Sequence, residues 1–114
     1  MKIPGPRNLP ASVAARLRDR SRRTGDDYQL LLVAYFCERF LYRLSRSLVS
    51  NRFVLKGAML LRLWADRPYR ATRDLDLLRR GDGAAEAIRA DLQAICATEV
   101  PPDGVVFDPR SIRL

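Results

Sequence analysis

Apolar residues recur along this chain with two different periods, and together these predict an α+β fold. The strongest helical pattern follows Asp26 and Asp27, whose carboxylates suit a helix N-terminus. From there to Leu48, apolar residues are spaced three and four apart over about five turns. They are Leu30, Val33, Ala34, Cys37, Phe40, Leu41, Leu44 and Leu48. We predict a long helix that braces the core. The polar residues outside its apolar stripe are Glu38, Arg39, Arg43 and Arg46.

Two further helices are predicted, one on each side of this one. The first is Pro10–Arg23, which has proline in its first turn and Gly25 just beyond its end. Its thin apolar stripe consists of Leu9, Val13 and Leu17. Its arginines are spread over opposite faces, which favours a solvated basic helix over a single RNA-binding stripe. They are Arg16, Arg18, Arg20, Arg22 and Arg23. The other helix is Ala84–Thr98, with Ile88, Leu92 and Ile95 on one face.

Short apolar runs between and after the helices predict strands. Phe53–Leu55 and Asp74–Leu78 are expected to be neighbouring strands of one mixed sheet, with the Asp26–Leu48 helix packed nearby. Val105–Phe107 is a candidate third strand, and Ser111–Leu114 resembles the opening of a fourth. We therefore expect the sheet to continue beyond the last residue.

Composition excludes several classes of protein. The chain has 114 residues, 47% hydrophobic and 30% charged, which fits one small globular domain. It contains no histidine, so Ser-His or Cys-His catalysis and histidine-ligated zinc are excluded within it.

No apolar run approaches the ~20 residues that span a membrane, and no signal core opens the chain, which predicts a cytoplasmic protein. Cys37 and Cys96 lack metal-type spacing and are predicted to be buried, reduced thiols.

The chain is strongly basic, with a net charge of +8 and a pI of about 10.5. This charge favours a polyanionic partner such as RNA or a nucleotide. Because arginine-rich composition also arises from a GC-rich genome, the charge alone does not identify the partner.

Asp74 and Asp76 are the candidate metal ligands. Residues i and i+2 of a strand share a face, so the two carboxylates would lie side by side, with Leu75 and Leu77 on the opposite, buried face. Two like charges this close disfavour each other. A divalent cation removes the conflict, and carboxylate oxygens suit magnesium or manganese. The alternative is a solvated strand end, because Asp-x-Asp alone also occurs in surface turns.

Gly57 supplies the complementary half of a site. A glycine at the end of the first strand lets the backbone turn tightly and approach a phosphate. The amides that open the next helix, predicted at Met59–Trp64, would face that phosphate. A loop and the second strand return Asp74 and Asp76 to the same edge. Phosphate-binding amides and metal-binding carboxylates would then meet, as phosphoryl or nucleotidyl transfer requires.

Two segments carry a resemblance to a known family. They are Phe53–Leu61, FVLKGAMLL, and Arg70–Leu78, RATRDLDLL. Together they resemble the signature of AbiEii/AbiGii-type toxins, which is an apolar strand with Lys-Gly-Gly or Lys-Gly-Ala, then Arg-x-Ser/Thr-x-Asp-Ile/Leu-Asp-Leu. The stretch Tyr28–Leu32 together with Glu38–Leu44 is similar to that family's N-terminal helices, and the resemblance covers the chain from about Asn8 to Leu114.

The resemblance implies a nucleotidyltransferase fold of the DNA polymerase beta type and a role in a bacterial type IV toxin–antitoxin or phage-defence system. It implies a nucleoside triphosphate, Mg²⁺ or Mn²⁺ as cofactor, an RNA acceptor (tRNA in some relatives) and a cognate antitoxin. Asp74 and Asp76 would be the catalytic metal ligands, and Gly57 with the Ala58 amide would form the phosphate turn. The residues that match the nucleotide-binding pattern by position alone, with less defined roles, are Lys56, Arg70 and Thr72.

Two departures from the family pattern matter. Ala58 stands where the wider motif often has serine, so a hydroxyl contact to phosphate is lost while the amide remains. Family members are also usually longer, and their third carboxylate and catalytic lysine lie on later elements. Asp103 and Asp108 lie in turns beside glycine and proline and are poor substitutes.

We therefore expect residues 1–114 to form part of a nucleotidyltransferase domain, with N-terminal helices at 8–50 and the metal-binding core at 51–114. The chain would be a fragment, a split gene product or a decayed copy, and alone it would transfer no nucleotide. Two alternatives stay open. One is a nucleotide- or RNA-binding module without catalysis, and the other is a module that pairs with an antitoxin.

Overall fold

The computed structural model of this chain describes residues 8–56 and 76–114. The regular elements of these residues are three α-helices, two short 3₁₀ helices and one pair of strands, in agreement with the predicted α+β class. The helices are α1 (Leu9–Thr24), α2 (Tyr28–Arg46) and α3 (Ala85–Cys96), and the strands are β1 (Phe53–Lys56) and β2 (Asp76–Arg79). The predicted helix Met59–Trp64 lies outside the described residues. None of the helices in residues 8–56 and 76–114 has both the length and the apolar character needed to cross a membrane.

The ends of α1 are set by the residues that flank it. Asn8 caps its first turn, since its side chain accepts a hydrogen bond from the Ala11 amide at 3.1 Å. Gly25 ends the helix with a φ of +80°, which glycine adopts without strain, and its amide donates to Ser21 O at 2.9 Å. The predicted helix Pro10–Arg23 is confirmed to within one residue at each end.

Helix α2 begins where the sequence predicts and ends earlier. Asp27 caps it by accepting from the amides of Gln29 (2.7 Å) and Leu30 (3.4 Å). At the other end, both the amide and the hydroxyl of Ser47 donate to Leu44 O. This arrangement ends the helix before Leu48, so the prediction that Leu48 continues the apolar stripe is wrong, and its side chain is 99% exposed.

A small apolar core holds α2, α3 and the strands together. Its buried members are Leu44, Val49 and Ile95. The half-buried residues packed around them are Phe40, Leu41, Phe53, Leu77 and Leu92. The predicted packing of the long helix beside the two strands is therefore confirmed. The prediction of buried thiols is not, because Cys37 and Cys96 are only half-buried.

The two strands pair antiparallel, with Phe53 opposite Arg79 and Lys56 opposite Asp76. The prediction that they are neighbours is confirmed, whereas a mixed sheet is not seen, since the described strands form one antiparallel pair. The face that carries Phe53 and Leu77 packs on the helices. The other face carries the cross-strand pair Val54 and Leu78, which are 38% and 50% exposed.

The predicted third and fourth strands are wrong. Val105–Phe107 forms no ladder, and side chains bond the backbone of Val105 instead: its carbonyl accepts from Arg43 Nη2 at 3.0 Å, and its amide donates to Asp103 Oδ1 at 3.1 Å. The Phe107 ring packs edge-on against Phe40, with 5.4 Å between centroids. In the predicted fourth strand, Ser111–Leu114, Ser111 ends a short 3₁₀ helix and the remaining residues are irregular.

Candidate functional site

Lys56 and Asp76 are the two predicted site residues whose backbone the structure describes. Lys56 is the last residue of β1, Asp76 is the first residue of β2, and they are register partners. The other predicted site residues lie outside the described residues. They are Gly57, Ala58, Arg70, Thr72 and Asp74. The structure thus brings one member of each sequence motif to the same end of the strand pair.

Chain connectivity relates the remaining motif residues to this pair. The chain leaves β1 after Lys56 and returns at Asp76, so the segment 57–75 begins and ends at one end of the strand pair. Gly57 follows Lys56 directly, and Asp74 precedes Asp76 by two residues. The strand pairing is therefore compatible with a phosphate turn and metal-binding carboxylates at a single edge.

The two faces of the strand pair differ in what they contact. Asp76 and Lys56 occupy positions on the face of Leu78 and Val54, because alternate residues of a strand share a face. That face is turned away from the helices. Leu77 is on the opposite face and contacts the core, as the sequence predicts.

A carboxylate that the sequence analysis missed lies under the strands. Asp91 of α3 is 4% exposed, and each of its oxygens accepts from a different strand region. Arg52, just before β1, donates from Nη1 to Oδ1 at 2.7 Å. Arg79 of β2 donates to Oδ2 from Nε at 2.8 Å, with Nη2 also 2.8 Å away. A signal was present, since Asp91 shares the helical face of Ile88 and Ile95, where an apolar residue is expected.

A second ion-pair network joins α2 to the loop that follows α3. Arg43 is 5% exposed and donates to both oxygens of Asp103, at 2.8 and 3.1 Å, while Arg39 donates to Asp103 Oδ2 at 2.7 Å. Tyr35 donates its hydroxyl proton to Asp103 O at 2.6 Å. Arg43 is therefore buried, although its position outside the apolar stripe suggested a surface residue.

The charge state of Asp103 follows from this network. Burial raises the pKa of Asp103, but hydrogen bonds from Arg43, Arg39 and the Val105 amide outweigh burial and lower the pKa from 3.8 to about 2. Asp103 is thus charged in the folded protein, and its charge serves a structural role. This arrangement agrees with the prediction that Asp103 is a poor substitute for the third metal ligand, because both of its oxygens already accept from guanidinium groups.

The donor chemistry of the motif suits a hard divalent cation, since Asp74 and Asp76 supply carboxylate oxygens. Among residues 8–56 and 76–114, no three Asp, Glu, Cys or His side chains lie close enough to form a metal site. A site with three protein ligands would therefore draw on residues outside these ranges, where Asp74 lies.

Comparison with known proteins gives one match. The family model of the AbiEii nucleotidyl transferase toxin of type IV toxin–antitoxin systems matches residues 39–114, about two thirds of the chain. No curated protein and no solved structure matches significantly. The matched region includes both strands, α3 and the end of α2 that packs against them. The resemblance drawn from the motif residues is confirmed, and the chain belongs to the AbiEii family of nucleotidyl transferase toxins.

Proposed function

We propose that this chain provides the metal- and nucleotide-binding part of a toxin that transfers a nucleotide from a nucleoside triphosphate to RNA, with tRNA as the acceptor. The observation that carries the proposal is the register pair Lys56–Asp76, which sets the backbone positions of a motif lysine and a motif aspartate opposite each other. Membership of the AbiEii family supplies the class of reaction. The net charge of +8 suits substrates that are polyanions.

Each motif residue has a role in this proposal. Asp74 and Asp76 would hold Mg²⁺ or Mn²⁺, which when bound neutralises triphosphate charge and activates the attacking hydroxyl. Gly57 and the Ala58 amide would bind a phosphate through the backbone. Lys56 would place its ammonium group on phosphate oxygens as a point charge.

Two further motif residues stand just before Asp74. Arg70 would either contact a phosphate or brace the carboxylates, and a guanidinium group suits both roles because it donates two parallel hydrogen bonds. Thr72 would shape the entry into the second strand. A toxin of a toxin–antitoxin system also has a neutralising partner, so the family implies a cognate antitoxin for this chain.

Manganese binding tests the metal site. Free Mn²⁺ is measured by electron paramagnetic resonance during titration of the wild type, Asp74→Asn and Asp76→Asn. Each asparagine keeps the side-chain shape and removes one formal charge, so we expect both variants to lose binding. The matched control is Asp19→Asn, which removes an exposed carboxylate of α1 that pairs with Arg23 at 3.1 Å. Equal binding by all four proteins would mean that Asp74 and Asp76 are a solvated strand end.

Transfer is tested with each labelled nucleoside triphosphate and deacylated tRNA. We expect no incorporation by residues 1–114 alone, because the resemblance puts a third carboxylate and a catalytic lysine on later elements. Incorporation after those elements are added as a second polypeptide, abolished by Asp76→Asn and preserved by Asp19→Asn, would support the transferase. Metal and nucleotide binding without incorporation in that mixture would favour the non-catalytic nucleotide-binding module. Strong incorporation by residues 1–114 alone would mean that the catalytic residues are misassigned.

A further inference from the structure

The Asp91 carboxylate connects β2, and the residue just before β1, to α3 at one end of the strand pair. Arg79, which donates to it, is the register partner of Phe53, the first residue of β1. Arg52, the other donor, directly precedes Phe53, and its carbonyl accepts from the Arg80 amide at 2.6 Å. The Asp91 contacts therefore lie at the end of the strand pair remote from Lys56–Asp76, about 10 Å away at the rise of a strand.

The strand sequence by itself leaves the register ambiguous. Asp74-Leu75-Asp76-Leu77 repeats with a period of two, so a slip of two residues would set Leu77 opposite Phe53 and Asp74 opposite Lys56. Apolar residues would still face the core and carboxylates would still share the other face. The slip would move Asp76 by about 7 Å along β1. A pair of four-residue strands has little stability of its own with which to resist this.

The Asp91 contacts distinguish the two registers. In the slipped register Leu77 takes the place of Arg79 opposite Phe53, and a leucine offers no hydrogen bond to the carboxylate. Asp91 would then keep only Arg52, whose side chain is half exposed, while its own remains buried. A buried carboxylate that loses a guanidinium partner is strongly disfavoured. The observed register satisfies both of its oxygens.

We propose that Asp91 is a positioning residue that fixes the register of β2 on β1, and so determines which carboxylate lies opposite Lys56. The inference rests on the proposed function for its consequence, because the register matters for metal binding only if Asp74 and Asp76 are the ligands. Within residues 8–56 and 76–114, the side chains that donate to Asp91 are Arg52 and Arg79. Its effect is transmitted through Arg79, three residues along β2 from Asp76.

The test compares Asp91→Asn with the matched charge change Asp19→Asn. Asparagine keeps the shape of the side chain but weakens both contacts to the arginines. Cross-strand nuclear Overhauser effects report the register directly: the wild type should show Val54 beside Leu78, and Asp91→Asn should add contacts of Val54 with Asp76. Manganese affinity should fall about 10-fold in Asp91→Asn, the lower end of the loss when groups that orient metal ligands are removed. Asp19→Asn should match the wild type in both measurements.

Arg52→Gln is a second variant that tests the proposal if Asp91→Asn does not fold. It removes the β1 half of the contact at a side chain that is 51% exposed and leaves Arg79 in place. We expect a mixed register and a smaller loss of manganese affinity. Native register and unchanged affinity in a folded Asp91→Asn, or in Arg52→Gln if the first variant unfolds, would overturn the proposal.

A lower melting temperature with no change in register would likewise reduce Asp91 to a stabilising residue and overturn the positioning role. If the wild type binds no manganese, the proposed metal site fails and the consequence drawn for Asp91 fails with it. The Overhauser contacts in Asp91→Asn still decide whether Asp91 sets the register, so the two failures are distinguishable.

Discussion

Lys56 and Asp76 lie opposite each other in the antiparallel pair, as the last residue of β1 and the first residue of β2. The segment 57–75 leaves and returns between them, so both sequence motifs adjoin one end of the strands. If Asp74 and Asp76 hold a triphosphate through a cation, as we propose, a lysine at this position is suited to bind its phosphate oxygens.

Replacing Lys56 should weaken nucleotide binding. Lys56→Met keeps the length of the side chain and removes its charge. We expect a loss of roughly 10- to 100-fold in affinity for a fluorescent ATP analogue with Mg²⁺, since a hydrogen bond to a charged group is worth about 1.5–3 kcal/mol. The control is Arg80→Met, an exposed cation just beyond the opposite end of β2. Equal losses in both variants would mean that only overall charge matters.

Local sequence patterns predicted most elements of the fold. Apolar residues spaced three and four apart located the helices, and capping residues such as Asp27 located their ends, because helix ends depend on hydrogen bonds to neighbours in sequence. The strand pair was predicted from its apolar runs. It was also predicted from the requirement that the second strand return Asp76 to the edge where Gly57 follows the first strand. Val105–Phe107 was misassigned because its composition suits a strand, yet a strand also needs a partner strand for its backbone, and here the Val105 carbonyl accepts from the Arg43 side chain.

The buried ion pairs could not be predicted from local patterns. Arg43 meets Asp103 across 60 positions of sequence, and Arg52 meets Asp91 across 39. Helical periodicity reports which residues share a face, but it does not identify a distant partner that makes a buried charge tolerable. An aspartate within the apolar face of α3 was the available signal.

The small core should depend strongly on Ile95, which is 0% exposed. Ile95→Ala removes buried methylene and methyl groups and leaves a cavity, and we expect a loss of about 2–5 kcal/mol in the free energy of unfolding. The comparison is Leu48→Ala, because Leu48 is 99% exposed and should contribute within about 0.5 kcal/mol. Urea denaturation measures both. A similar loss in the two variants would place the core elsewhere.

RNA binding should be electrostatic and steeply dependent on salt. The slope of log affinity against log salt should scale with the number of phosphate contacts. The five arginines of α1 are all exposed, so Arg16→Gln/Arg20→Gln and Arg18→Gln/Arg22→Gln remove equal charge from different faces. A solvated basic helix predicts similar changes in slope for tRNA binding by the two double variants. A change confined to one of them would identify a single RNA-binding face, and a flat salt profile would exclude the basic surface altogether.

Gly104 should be required for the loop after α3 to dock on α1. It has a φ of +78°, and a Cβ there would lie 3.2 Å from Val13 Cγ2 and 3.3 Å from Leu9 O. Gly25 has a nearly equal φ of +80°, but no atom of the described residues lies within 4 Å of such a Cβ. Gly104→Ala should therefore lower the melting temperature more than Gly25→Ala, and the difference isolates the steric contact from the backbone strain. Equal effects would mean that the loop yields to the methyl group.

The pH dependence of stability should reveal Asp103. Its pKa is lowered from 3.8 in the unfolded chain to about 2 in the folded protein. The stability that its charge contributes is therefore fully present above about pH 4 and is lost as pH falls through 2. The side chain is 8% exposed, and this difference corresponds to about 2 kcal/mol. Asp103→Asn should be less stable than the wild type at pH 6 because Arg43 loses its carboxylate partner.

The difference in the free energy of unfolding between the wild type and Asp103→Asn should narrow from pH 4 to pH 2, since the protonated carboxyl group of the wild type also fails to neutralise Arg43. Urea denaturation of both proteins across this range measures it. Asp108→Asn is the control: Asp108 also pairs with an arginine, Arg110, but both side chains are exposed to solvent, so its effect should be small throughout. If the difference in unfolding free energy between the wild type and Asp103→Asn stays constant down to pH 2, the ion pair does not hold the Asp103 carboxylate in its charged form.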